Sequence, residues 1–258
     1  MSSLAAAKSL ADSYLAEIDA TIEIRQTYNG ILVAQAGVIM GALCHDKAAK
    51  ATFQKALRHK TVDPSTLYKP LVVQIHGIFE NYIRSLVKVI IEERFESVEL
   101  YASLEENFRS NHIAHAARVL THVRGGAVMG VAYNFDDLLA NLGKALSGQK
   151  GYKLNPEIYV KLMGNCTAER LEKLFEAISL PGPFSDVLGQ NSEIKAHFKE
   201  NAKNRVAGKA REKLDRQINL RNNIVHGDLT LAVNLTELQD TMDYFRALIS
   251  GLDYLVQT

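Results

Sequence analysis

Between Ser65 and Glu93 the chain carries apolar residues around most of a helical circumference, and this segment restricts the fold more than any other. Leu71, Ile75, Phe79, Tyr82, Leu86 and Ile90 fall at three- and four-residue steps, while Val72, Ile78, Ile83, Val87 and Ile91 widen the stripe. Only a strip through Gln74, Asn81, Arg84, Ser85 and Lys88 stays polar. A helix of this kind sits in the middle of a bundle, with other helices on most of its sides. Asp63-Pro64 supplies its start, because the aspartate can accept from the first free amides and proline needs no amide there.

The same periodicity runs through the rest of the chain, and period-2 alternation is nearly absent. Leu4, Ala7, Ala11, Tyr14, Ile18 and Ile22 share one face and predict a first helix from about Ser3 into the twenties. The apolar run Gly30 to Cys44 predicts a second helix, followed by a basic stretch ending near His59. A further helix is expected from about Tyr101 to Val123, ended by Gly125-Gly126. Asn134 to Leu146 and Thr167 to Ile178 look like two short amphipathic helices, so 131–190 is expected to be an irregular helical insertion without evident chemistry. A long helix from about Ser192 leads into the motif below, and a closing helix carries Leu235, Leu238, Met242, Phe245, Ile249, Leu252 and Val256 in alternating steps of three and four. That spacing is expected to form a seam along a partner helix, and the 235–256 seam and the motif helix are the expected contact surfaces of a two-fold dimer. The fold class is therefore all-α, a helical bundle with one helical insertion, and residues 1–258 are expected to form a single domain.

Composition narrows the function. With 47% apolar and 23% charged residues over 258 positions, the chain can bury a sizeable core, and Cys44 and Cys166 are too few for a disulfide framework or a structural zinc site. Lys8 and Asp12 interrupt the early apolar stretch, so no signal peptide is expected, and Gly30 to Cys44 is too short to span a membrane. A cytoplasmic location is the default expectation. The formal charge is only +1, yet nine Lys and Arg face three acids between Lys195 and Arg221, a net of +6 that leaves −5 elsewhere. His112, His115 and His122 lie at helical steps without a carboxylate or cysteine nearby in sequence, a poor set for zinc. The glycines at 125, 126 and 130 lack the lysine-serine and strand context of a phosphate loop. No metal and no cofactor are expected.

The positive stretch leads into Arg221-Asn222-Asn223-Ile224-Val225-His226-Gly227-Asp228. Arg221 and His226, five apart, would lie on different faces of an ideal helix, so a shared site requires a bend near the histidine. Gly227 supplies a left-handed stop there. Asn222 and His226, four apart, are neighbours on one face. Histidine can move protons near neutral pH, and arginine can hold phosphate oxygens bidentately and stabilise developing charge.

The segment resembles the Rx4–6H signature of the HEPN superfamily, all-α domains found in prokaryotic toxin–antitoxin and antiphage systems. The resemblance extends to the polar residue after the arginine, to the apolar central helix carrying Glu80 and Asn81, and to the closing helix. The length and layout look like the RiboL-PSP and MAE-type branches. It implies a metal-independent endoribonuclease that leaves a 2′,3′-cyclic phosphate, with Arg221, His226, Asn222 and Glu80 in the catalytic site. It also implies a homodimer whose two motifs meet in a composite site, and an antitoxin or defence-system partner. Lys209, Lys213, Arg216 and Asn81 are the candidate RNA-binding residues, the lysines and arginine because phosphate neutralisation gives sequence-independent affinity. Control by nucleotidylation in one branch of the family targets a tyrosine two residues after the histidine, where this chain has Asp228.

Other readings of the same residues stay open. Arg221 can cap helix carbonyls while His226 fills a bundle end, with Asp228 paired to either. Glu80 can be the structural partner of a buried arginine, Asn81 an interhelical hydrogen bond, and the basic run a solvated face. The alternative function is a non-catalytic HEPN module that binds RNA or a nucleotide, or acts as a scaffold.

Overall fold

The computed structural model describes residues 3–42, 46–59, 65–95, 98–122, 135–160, 163–228 and 230–254. Among them there are ten α-helices and no strand: α1 Ser3–Ala42, α2 Lys47–His59, α3 Ser65–Ile90, α4 Glu106–His122, α5 Phe135–Leu146, α6 Glu157–Val160, α7 Ala168–Ala177, α8 Ser192–Phe198, α9 Lys203–Val225 and α10 Leu235–Asp253. The expected boundary signals Asp63-Pro64 and Gly125-Gly126 lie outside the described residues, as does Cys44.

The apolar helix is α3, and its stripe is buried as its pattern demands: Val72, Ile75, Phe79, Ile83, Leu86 and Val87 have no exposed surface. It packs against α1, α9, α10 and α6, while Gln74, Asn81 and Lys88 face solvent. The N-terminal segment folds as one helix rather than two. No proline interrupts it at Gly30, and a single glycine costs a helix only about 1 kcal/mol relative to alanine. The buried face of α1 is Ala11, Leu15, Ile18 and Ile22, with Leu15 taking the place expected of Tyr14, which is 42% exposed. Lys8 pairs with Asp253 at 3.4 Å, and Arg246 pairs with Asp19, so α1 is fastened along α10.

The closing helix starts on a full capping box, in which Asn234 accepts from the Glu237 amide and the Glu237 carboxylate accepts from the Asn234 amide, each at 2.9 Å. Its 3-4 seam corrects the expectation of a partner helix: Leu238, Met242, Phe245, Ile249 and Leu252 are all buried inside the protomer, against α1, α3 and α8. Packing against three helices of the same chain consumes the stripe that a two-helix coil would have left for another chain.

The expected long helix from Ser192 is two helices. Lys199 adopts a left-handed conformation (φ 49°), and Glu200 then accepts from the amides of Asn201 and Ala202, which turns the chain before α9 begins. The insertion contains α5 and α7 within a residue or so of expectation, plus α6, too short to show a period. It also supplies Leu154, Tyr159, Met163, Cys166, Leu171 and Phe175 to the main core. The insertion is held to the motif helix where Asp215 of α9 accepts from the Ala168 amide at the start of α7, at 2.9 Å. No helix among the described residues is long and apolar enough to cross a membrane.

Candidate active site at the end of the motif helix

The C-terminus of α9 closes in a Schellman turn. Gly227 sits at φ +80°, its amide donates to the Ile224 carbonyl at 3.1 Å, and the Asp228 amide donates to the Asn223 carbonyl at 3.0 Å. His226, the cap residue, stays near helical geometry (φ −79°, ψ 4°) and donates its amide to Asn222 at 2.8 Å. Its side chain is therefore carried one turn from Asn222, out into solvent, beside Val225, which is 53% exposed. A Cβ at position 227 would meet open space but keep the left-handed backbone. Gly227→Ala is therefore expected to cost roughly 1–2 kcal/mol from backbone strain alone, read as a shift in the urea midpoint.

Arg221 is half-buried, and its Nη1 donates to the Asn222 Oδ1 at 3.1 Å. Its Nε is buried without a hydrogen-bond partner, and no carboxylate among the described residues pairs with the guanidinium. Asp228 does not serve Arg221. Its Oδ1 accepts from the amide and hydroxyl of Thr230 at 2.9 and 2.7 Å, which together hold its carboxyl below the usual range, and its backbone carbonyl accepts from Lys69 at 3.4 Å. The reading in which Asp228 neutralises the motif thus loses its partner, and the loop after the motif is fixed to the start of α3 instead.

The other candidates separate. Glu80 is half-buried on α3, without an ion pair among the described residues, and its charge helps push the buried Cys166 thiol up. Asn81 is exposed on a different face, accepts from Arg84 of its own helix at 3.4 Å, and lines a groove with Ala7, Leu10 and Tyr14 of α1. The basic run is largely occupied by its own carboxylates: Lys203 meets Asp186, Arg205 and Lys209 share Glu200, and Arg211 meets Glu172. Lys213 is only 11% exposed, paired with Asp240, 3.1 Å from His197 and over the Tyr244 ring. Arg216 is exposed and has no ion pair among the described residues.

One buried histidine was not singled out from sequence. His76, on α3 between Val72 and Phe79, is 1% exposed, lies edge-on to Phe245 at 4.7 Å, and has no partner on either ring nitrogen. Burial, and secondarily the Arg221 charge, hold it down to about 3. Its signal was a lone polar residue on the most apolar face of the chain. His112, by contrast, belongs to an aromatic cluster: it meets the Tyr101 hydroxyl at 3.0 Å and stacks on Phe108 and Tyr159. No group of three histidine, cysteine or acidic side chains among the described residues is arranged to hold a metal ion.

The family model described as RiboL-PSP-HEPN matches residues 49–258, which takes in α3, the insertion, the motif and the closing helix. The chain belongs to this HEPN family. No curated protein and no solved structure matches it. The HEPN match begins after α1, although α1 supplies one flank of the core around α3.

Proposed function

We propose that this HEPN protein is a metal-independent endoribonuclease acting on cellular RNA in the cytoplasm, as a toxin or antiphage effector, with residues 1–258 working as one helical domain. The observation that supports it is a half-buried Arg221 guanidinium without a carboxylate counter-ion among the described residues, on the same helix end as the exposed His226. A buried cation lacking a partner is costly, and an RNA phosphodiester supplies the missing anion.

In this reaction the RNA 2′-oxygen attacks phosphorus and the bond from phosphorus to the 5′-oxygen breaks, leaving a 2′,3′-cyclic phosphate and a 5′-hydroxyl. One His226 takes the 2′-hydroxyl proton and a second donates a proton to the departing 5′-oxygen. Two copies of one residue arise when two protomers meet about a two-fold axis, and the exposed Val225 and His226 are the surface on which they meet. Arg221, oriented by Asn222, stabilises the charge on the phosphorane-like transition state. Arg216 is the free member of the proposed RNA contacts, with Lys209 and Asn81 peripheral; Lys213 and Glu80 act through the packing of α9 and α3. An antitoxin or defence-system protein that covers the α9 end restrains the activity.

A non-catalytic HEPN module that binds a nucleotide or serves as a scaffold is the second reading, favoured by the degree to which the basic run, the expected RNA track, is already neutralised within the chain. Expression of the wild type and of Arg221→Ala separates the two. Growth arrest and RNA breakdown that vanish in the variant support the enzyme, and identical behaviour of both supports the binder.

A further inference from the structure

The apolar face of α1 is wider than the bundle covers. Ala11, Leu15, Ile18 and Ile22 are buried, while Leu10 and Tyr14, one turn apart beside them, stay 55% and 42% exposed. They border an open groove of about 310 Å³ between α1 and α3, where Ala7 and Ala11 keep the α1 wall low and Ile78 begins the α3 wall. The α3 wall also carries Arg84, which is half-buried. Its Nε is buried without a hydrogen-bond partner, and its Nη1 donates to the Asn81 Oδ1 of its own helix at 3.4 Å, long for such a bond. No carboxylate among the described residues pairs with it, Glu80 one turn earlier included. The hydroxyl of Tyr82, which lines the same groove and is 2% exposed, lacks a partner too. Buried polar groups are nearly always paired, so two orphans along one open groove mark a surface that is incomplete by itself.

We propose that this groove docks an acidic amphipathic helix of a partner protein, with an apolar side chain seated among Leu10, Tyr14 and Ile78 and a glutamate or aspartate one turn away paired with Arg84. Charge selects the partner. Among the described residues that line the groove Arg84 is the only charged one, and a guanidinium beside apolar surface favours a carboxylate that can meet its fork. RNA would need a run of positive charge along the groove, which one arginine among apolar side chains does not provide. Shape selects the helix. The lining residues span two turns of each wall, Ala7 to Tyr14 and Ile78 to Ser85, roughly 11 Å at 1.5 Å per residue. An extended peptide would instead need a sheet edge, and no strand among the described residues offers one. The surface is separate from the motif, whose following loop meets α3 at Lys69, nine residues or roughly 14 Å before Ile78. The proposal therefore does not rest on the ribonuclease reading, and its α1 wall precedes the residues that the family model matches.

The test is a phage-displayed library of amphipathic helices selected on the full-length protein, with the enriched sequences made as peptides and titrated against variants. Enriched helices are expected to carry an aspartate or glutamate one turn from a large apolar residue. Arg84→Glu should weaken their binding by roughly 10- to 100-fold, the worth of a hydrogen bond between charged groups, and a lysine in place of the peptide carboxylate should restore it. Leu10→Asp should weaken binding of both peptides. Leu10 is more than half exposed, so that variant keeps the fold and decides alone if Arg84→Glu does not fold. Failure to enrich any helix, enrichment without an acidic preference, or peptides that bind Leu10→Asp as tightly as the wild type overturns the proposal. So does an oligoribonucleotide whose affinity falls in both variants while no acidic helix is enriched, which would make the groove an RNA contact. A dimer by light scattering that Leu10→Asp dissociates would seat a second copy of the chain in the groove, and overturns it as well.

Discussion

Replacing His226 with alanine is expected to slow RNA cleavage by roughly 10²–10⁴-fold, the usual worth of a positioned acid or base. The change should be confined to chemistry. The His226 side chain is exposed, and the turn that follows it is held by backbone hydrogen bonds from Gly227 and Asp228, which alanine leaves intact. Stability should therefore stay within about 0.5 kcal/mol of the wild type, as for an exposed side chain at a cap whose hydrogen bonds are all made by the backbone. Single-turnover cleavage and urea unfolding, run on the same preparation, check both halves. Adding Arg221→Ala to His226→Ala should cost far less than the sum of the two single losses, because residues acting on one transition state are strongly non-additive. Full activity in His226→Ala would remove the histidine from the reaction.

Acid is expected to unfold the protein in a pH range where carboxylates are still charged. His76 is held down to about 3 and His112 to about 4, both chiefly by burial. In an unfolded chain a histidine titrates near 6.5. Above that value neither state binds the proton and stability is unaffected. As pH falls below it, the unfolded chain takes up protons that the folded chain refuses, so stability drops until His112 and then His76 titrate in place. Each contributes a slope of roughly 1.4 kcal/mol per pH unit, or roughly 2.7 for the pair. By pH 4.5 the loss is on the order of 5 kcal/mol, comparable with the whole stability of many domains. His115 and His197 are lowered as well and add in the same direction. The carboxyls of Glu200 and Asp228 are also lowered, so their contribution is lost progressively as pH falls through the ordinary carboxylate range toward their lowered values. Urea midpoints at pH 7.5, 6.0 and 4.5 should show the slope in the wild type. It should flatten in the double variant His76→Leu, His112→Phe, whose phenylalanine keeps the stack on Phe108 and Tyr159. A pH-independent wild-type midpoint over this range would contradict the burial argument.

What could be read from the sequence was what local periodicity encodes. The stripe of α3 was legible residue by residue, because a helix apolar around most of its circumference has few places to go. The left-handed stop at Gly227 was equally legible, since glycine adopts a positive φ without strain, but the stop follows His226, which keeps near-helical geometry and is not swung back toward Arg221. Where the outcome depended on the absence of a signal, the pattern misled: the apolar run from Gly30 predicts a second helix but continues α1, and nothing marks Lys199 as the left-handed residue that divides α8 from α9.

Tertiary pairing was the part the sequence concealed. The run from Lys195 reads as a field of free positive charge, yet its partners Asp186, Glu172 and Asp240 come from other elements and are invisible to a charge count along the chain. The seam of α10 is a coiled-coil pattern by spacing, and only the positions of α1, α3 and α8 show that it is spent inside the protomer. His76 was hidden by its surroundings, as one polar letter in an apolar face that periodicity alone assigns to the core.

Cleavage at the α9 end through the RNA's own 2′-hydroxyl is decided by a single pair of substrates. An oligoribonucleotide and the same oligomer carrying a single 2′-deoxy residue at the cut site would be incubated with the wild-type protein in EDTA. The first should be cleaved to a 2′,3′-cyclic phosphate and a 5′-hydroxyl, with the second left intact at that position. Cleavage at the deoxy linkage, or cleavage of either strand only after magnesium or manganese is restored, would contradict it.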